Sequence, residues 1–248
     1  MPIINKTVLM SGADYFSDQY AINAYMDDRI PVDIEKAKAE HASIKQALES
    51  ASVSVIQVPA PKDCQDGVYT ANWALCRGNT ALLSSLPNKR QAETPYAEQV
   101  LKNLGKTIVR LPEGLRFSGQ GDALPCGNYV FTGSQYRTDK EAHEQISKIL
   151  GYQIISLQTV PKRALWGFGP TITNKVTGWP DSYYYDIDLA LSVLRPDLIA
   201  YCPEAFLPES RKTIEALPLK KIRISVKEAK EGFACNLVST GETVIMSS

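Results

Sequence analysis

Asn72, Asp122, Asp188 and Asn236 stand at equivalent places in four similar stretches of the chain, each ahead of a short apolar run, a turn and a second apolar run. Brought to one centre, these carboxylates and amides would form a polar funnel able to receive a cation, because their oxygens accept N–H donors. Asn and Asp also favour turns through hydrogen bonds to their own backbone, so turn capping accounts for the same positions. Nucleophile and metal-ligand types are placed more sparsely. Cys64, Cys76, Cys126, Cys202 and Cys235 include no Cys-x-x-Cys pair, and His41 and His143 are the only histidines. That pattern signals neither a disulfide framework nor a metal site, and reduced, mostly buried thiols are expected.

The elements that must position these residues repeat with them. The unit opened by Asn72 reads as a stretch 72–75, a Gly78-Asn79 turn, a strand 80–83, a helix near 95–104 and a closing strand near 107–111. The unit opened by Asp122 turns at Gly127-Asn128 and continues with strand 129–132, helix 139–150 and strand 152–157. The third runs from Asp188 through Arg195-Pro196-Asp197, strand 198–201, helix 208–217 and strand 221–226. The fourth opens at Asn236, turns at Gly241-Glu242 and reaches strand 243–246, with no helix or closing strand after it. A degenerate unit precedes them, with strand 7–10, helix 33–49 and strand 53–58.

Spacing and caps carry the helix assignments. Ile34, Ala37, His41, Ile44 and Leu48 make one apolar stripe. Thr94 with Pro95 predicts an N-cap followed by proline, Thr138 with Glu141 a capping box, and Gly105 and Gly151 left-handed C-terminal caps. One unit cannot bury its own apolar face, so the units must stack or close about an axis in a mixed α/β fold. Residues 161–180, with Trp166, Gly167, Phe168, Gly169 and Trp179, break the repeat spacing. They form either a lid with glycine hinges or an aromatic loop packed on the surface.

The 27 basic and 27 acidic residues leave no net charge to favour nucleic acid or an acidic membrane. No apolar run is long enough to span a bilayer, and the N-terminus lacks the basic-then-apolar layout of a secretion signal. A cytoplasmic soluble protein is the expectation.

The stretches Tyr20-Ala21-Ile22-Asn23-Ala24-Tyr25-Met26, Asp66-Gly67-Val68-Tyr69-Thr70-Ala71-Asn72, Gly119-Gln120-Gly121-Asp122-Ala123-Leu124 and Tyr136-Arg137-Thr138, in that order, carry a family resemblance. They resemble the dimethylarginine dimethylaminohydrolases and their arginine dihydrolase relatives, in the guanidino-group-modifying (pentein) superfamily. The resemblance implies a pentein-type β/α propeller of ββαβ units with pseudo-fivefold symmetry. Residues 1–248 would form one domain whose fifth unit is incomplete. It further implies a cysteine nucleophile, a histidine acid/base and carboxylates or amides around a planar guanidinium, with no metal or organic cofactor. A flat guanidinium offers five N–H donors that match such acceptors, and a thiolate supplies the attack.

Carried over by position, Asn72 contacts the guanidino group and Asp188 its second side, while Asp122 joins the same ring. Asn23 and Asp66 lie near the substrate, and Arg90 and Arg137 hold its α-carboxylate. The chemistry transfers less well. Asp186 stands where the resemblance places the histidine, Ser118 where it places a glutamate, and Cys235 is not at the nucleophile position. The implied function is a hydrolase on arginine-like guanidino compounds that is inactive as the chain stands. The alternative is a non-catalytic pentein that binds arginine-like ligands or a macromolecular partner. Low stability or homo-oligomerisation through the incomplete fifth unit would accompany either.

Overall fold

The computed structural model describes residues 4–27, 29–86, 88–165 and 169–247. β1 (Thr7–Ser11) and β2 (Ser54–Val58) pair in parallel, joined through α1 (Ile34–Ser50). A 3-10 turn at Thr70–Asn72 then leads into β3 (Ala74–Arg77), β4 (Thr80–Leu83), α2 (Thr94–Asn103) and β5 (Thr107–Val109). The same order follows from the 3-10 turn Gly119–Asp122, with β6 (Ala123–Cys126), β7 (Tyr129–Gly133), α3 (Ala142–Leu150) and β8 (Gln153–Leu157). A third copy starts at Ile187–Leu189 and contains β9 (Leu191–Arg195), β10 (Leu198–Tyr201), α4 (Pro208–Ala216) and β11 (Lys220–Arg223). In all three, an antiparallel hairpin is extended by a parallel closing strand. A parallel neighbour cannot be reached by a tight turn, and the helix supplies the crossover. α5 (Val226–Glu231) and the hairpin β12 (Leu237–Ser239) with β13 (Val244–Met246) follow.

The units share their cores. Leu75 and Leu82 of the first full unit pack with Val130, Ile146 and Leu150 of the next. Phe131 and Leu157 of that unit pack in turn with Ile187, Leu191, Ile199 and Ile214. No unit therefore closes its own apolar face, as the repeat requires. No helix among the described residues is long and apolar enough to cross a membrane.

Several sequence expectations shift. The stretches headed by Asn72, Asp122 and Asp188 begin in 3-10 turns rather than strands, which point these residues off the ends of the hairpins. Thr138 and Glu141 form no capping box. α3 starts at Ala142 with no side-chain cap, while the fully buried Thr138 takes a hydrogen bond from the Ser118 N–H at 3.4 Å. Thr94 lies inside α2 rather than capping it, and the cap position is Glu93, whose carboxylate is used elsewhere. Strand 221–226 ends early because Ser225 and Glu228 form a capping box that starts α5. Gly151 does cap α3 at φ 69°, a backbone that favours glycine. The stripe on α1 buries Leu48 alone, and Ile44 is 46% exposed.

The hairpin of the fourth unit is tied to the segment ahead of β1 and to β9. The Ile4 N–H donates to Thr240 O at 3.0 Å, Asn5 Nδ2 donates to Ser239 O at 2.9 Å, and Ser239 Oγ donates to Leu194 O at 2.8 Å. α1 packs on β13, while Ile222, Val244 and Met246 stay exposed. In the 161–180 loop, Trp166, Gly167 and Phe168 lie outside the described residues. Its remainder folds back on itself through bridges Arg163–Thr171 and Thr173–Pro180, and Asn174 Nδ2 reaches Ala21 O at 3.1 Å.

Candidate guanidino-compound site

The three 3-10 turns pack against one another and carry a buried polar network between them. Asn72 is its hub. Its Nδ2 donates to Ser118 O at 2.9 Å, Ser118 Oγ at 3.0 Å and Asp186 Oδ2 at 3.0 Å, while its Oδ1 accepts from Arg90 Nη1 at 2.9 Å. Asp186 Oδ2 also meets Arg137 Nη1 at 3.4 Å, and the Arg137 guanidinium lies 4.1 Å from the Tyr185 ring centroid. Asp186 Oδ1 has no partner among the described residues, although the residue is only 3% exposed. Asp122 Oδ1 accepts the Ile187 N–H at 2.9 Å, and Thr138 also hydrogen-bonds this carboxyl.

Asp122, Asp186 and Asp188 thus lie within reach of one another's charge and of Arg137. Burial pushes the Asp122 carboxyl well above its usual range, and the neighbouring Asp186 charge adds to the effect. Burial does the same to Asp188, reinforced by Asp186 and Asp122 and opposed by Arg137 and a bond from Asn236. The acid and amide residues that head the repeats therefore converge, with Asp186 added between them.

Arg90 is fixed on the outer side of Asn72. Its Nε donates to Glu93 Oε1 at 2.7 Å and its Nη2 to Glu93 Oε2 at 2.9 Å and Asp66 O at 3.2 Å. Glu93 Oε2 also accepts from Trp73 Nε1 at 3.2 Å. Asp66 is buried and takes a bond from Gln65 Nε2 at 2.9 Å. Asn23 stands apart from the network, with its Oδ1 accepting the Tyr25 N–H at 2.9 Å in a local turn.

A cavity of about 270 Å³ adjoins this network between β6, β9 and β12. Gln120 and Asp188 border it, together with Leu124, Leu191, Val193 and Leu237, and Cys235 sits in its wall. Neither Arg90 nor Arg137 borders it. The Cys235 thiol is pushed up to about 12 by burial, with Cys202 and Asp188 adding to the shift. His143 is on α3, 2.9 Å from Gly133 O, and burial lowers its pKa. Among the described residues, no group of His, Cys, Asp and Glu is arranged to hold a metal ion.

Residues 15–167 match the family model described as N,N dimethylarginine dimethylhydrolase, eukaryotic, which covers more than half of the chain. The chain belongs to this family. Among its relatives, the bifunctional arginine dihydrolase/ornithine cyclodeaminase ArgZ of Synechocystis sp. is 29% identical over 245 residues, 97% of this chain and 32% of that protein. The dimethylarginine dimethylaminohydrolase of Mycobacterium tuberculosis is 29% identical over 241 residues, 96% of this chain and 71% of the relative. The family member described here thus spans about a third of the bifunctional protein's length. The apo structure of ArgZ, an arginine dihydrolase of the cyanobacterial ornithine–ammonia cycle, matches with a TM-score of 0.84 at 28% identity, over 96% of this chain and 34% of that one. The Pseudomonas aeruginosa dimethylarginine dimethylaminohydrolase shares the fold at a TM-score of 0.72 and 19% identity, over 97% of this chain and 83% of that one.

Three members of the network escaped the sequence reading. Glu93 was signalled by its i,i+3 spacing from Arg90, a distance at which helical side chains meet. Thr138 has the spacing of a helix cap, and Tyr185 carries no signal in the sequence. Gly121 lies against the hub: a Cβ there would stand 2.4 Å from Asn72 Nδ2 and 3.4 Å from Asp186 Oδ2. Gly121→Ala should therefore destabilise the protein by about 1–3 kcal/mol, the usual cost of overpacking, as read by urea unfolding.

Proposed function

We propose that this family member binds guanidino compounds of the arginine type at the Asp188 side of the network, and that residues 1–248 by themselves do not hydrolyse them. The reading treats residues 1–248 as one pentein domain, with the repeated units arranged about a pseudo-fivefold axis and the network at its centre. In this reading Asp188 is the acidic contact for the cation, Asn72 and Asp122 stand behind it, and Arg137 balances their charge. Arg90 and Asp66 support Asn72, and Asn23 belongs to the surrounding loop. The relatives' names, arginine dihydrolase and dimethylarginine dimethylaminohydrolase, supply the ligand class.

The observation that carries the proposal is the state of Asp186. At the position where an imidazole acid/base is implied, a buried carboxylate is tied to Asn72 and Arg137. The two histidines lie in α1 and α3, outside the network, so neither supplies the implied imidazole, and a proton for a departing amine would have to come from the raised carboxyls of Asp122 or Asp188. The thiols give no substitute. Burial raises Cys64, Cys76, Cys126, Cys202 and Cys235 alike, and a thiol held protonated is a poor nucleophile. Binding survives such losses because ground-state contacts to the cation are separate from groups that act in the transition state.

The test is an assay of the purified chain for citrulline, ornithine, ammonia and methylamines, with arginine and N-methylated arginines as substrates. No turnover above the buffer rate is expected, together with measurable binding by calorimetry. Turnover that vanishes on Cys235→Ser would make Cys235 the nucleophile and overturn the catalytic half of the proposal.

A further inference from the structure

We infer that the cavity between β6, β9 and β12 selects a guanidinium on an apolar stem that carries no carboxylate, with Asp188 meeting the cation. The inference rests on the guanidino-binding reading above and narrows the ligand class. It starts from charge. Among the described residues that border the cavity, Asp188 carries the one carboxyl and no side chain is cationic; the rest are apolar, amide, hydroxyl or thiol groups, and a bound cation would draw the raised Asp188 carboxyl towards its ionised form. A zwitterionic amino acid brings an ammonium and a carboxylate as well as its guanidinium. The carboxylate would enter a space with no cationic partner, and burying an unpaired charge is strongly unfavourable.

The two buried arginines do not relieve that cost. Four of the five Arg90 donors implied by its chemistry are engaged by Glu93, Asn72 and the Asp66 carbonyl. Arg137 is paired with Asp186 and stacked on Tyr185. To reach a carboxylate in the cavity Arg90 would have to abandon Glu93, and Arg137 does not border the cavity.

Shape and polarity favour the same ligand. At about 270 Å³ the cavity lies just under the range typical of drug-sized ligands, which suits a short chain. Leu124, Leu191, Val193 and Leu237 supply an apolar wall for methylenes.

Calorimetry on the whole chain with n-butylguanidinium and with L-arginine tests the inference. Butylguanidinium should bind at least tenfold more tightly than arginine. Asp188→Asn should weaken butylguanidinium tenfold or more, and Val193→Phe, which fills the cavity away from the acidic cluster, should abolish binding. Circular dichroism on both variants confirms that they fold. Arginine binding as tightly as butylguanidinium would overturn this inference and leave the guanidino-binding reading standing. Binding of neither compound would overturn both. Butylguanidinium binding untouched by Asp188→Asn and Val193→Phe would place the ligand elsewhere and sink the assignment of this cavity.

Discussion

Glu93→Ala is expected to cost the protein about 3–5 kcal/mol, the usual penalty for leaving one partner of a buried ion pair alone. Arg90 and Glu93 are 3% and 1% exposed, so water cannot take over either role. Their contact is bidentate, with bonds of 2.7 and 2.9 Å, a geometry that fixes both side chains. Burial opposes the Arg90 cation, yet the charges of Glu93, Asp66 and Asp186 hold its pKa above the ordinary arginine value. Removing Glu93 therefore leaves a guanidinium that stays charged and has lost the one carboxylate hydrogen-bonded to it among the described residues. The loss also frees Trp73 Nε1 and loosens the arginine that positions the Asn72 amide.

Such a loss is a large fraction of the roughly 5–15 kcal/mol that holds a typical domain together. Urea unfolding with an unchanged m-value reads it directly. The pair itself need not be strongly stabilising. Replacing both partners, Arg90→Met with Glu93→Leu, should recover most of the lost stability, because buried pairs are often no better than apolar substitutes. A Glu93→Ala loss under about 1 kcal/mol would mean that the pair behaves like an exposed one and that its burial has been misjudged.

The repeat was legible because local signals and global pattern agree. The Gly127-Asn128 turn, the apolar run of β7 and Gly151 after α3 each suit the unit in which they occur. Convergence of Asn72, Asp122 and Asp188 followed from their equivalent places, since units that share cores must bring equivalent turns together. What the reading missed depends on contacts far apart in the chain. Asn72 and Asp186 are 114 residues apart, and no local pattern marks that bond. Thr138 looks like a helix cap because a threonine three residues before a glutamate is the cap signature. The tertiary demand of the Ser118 N–H and the Asp122 carboxyl takes the hydroxyl instead. α5 was hidden by reading Val226 as the end of a strand, when Ser225 and Glu228 already held a capping box.

The three-carboxylate cluster should also make stability fall as pH rises, and Asp188→Asn should remove much of that fall. In the unfolded chain Asp122 and Asp188 titrate near the ordinary carboxyl value of about 4. In the folded chain, burial and then the Asp186 charge raise both. Between those two values the folded state holds more protons than the unfolded state, so raising the pH favours unfolding. The slope is limited to about 1.4 kcal/mol per pH unit for each carboxyl that differs. Other groups pull the opposite way: Asp139, held low against its own burial by hydrogen bonds and the charge of Arg116, loses stability as pH falls, and His143, lowered by burial, does so below its unfolded value. Comparison with an isosteric variant cancels them. Asp188→Asn keeps the shape and a hydrogen bond to Asn236 while deleting one buried charge and easing the titration of Asp122. The variant should match wild type near pH 4 and become progressively more stable than wild type as pH rises to 8, measured by urea unfolding at each pH. A difference between the two proteins that stays constant over that window would show that Asp188 titrates alike in the folded and unfolded chains. The buried carboxylates would then have to be paired more completely than Arg137 and Asn236 alone allow.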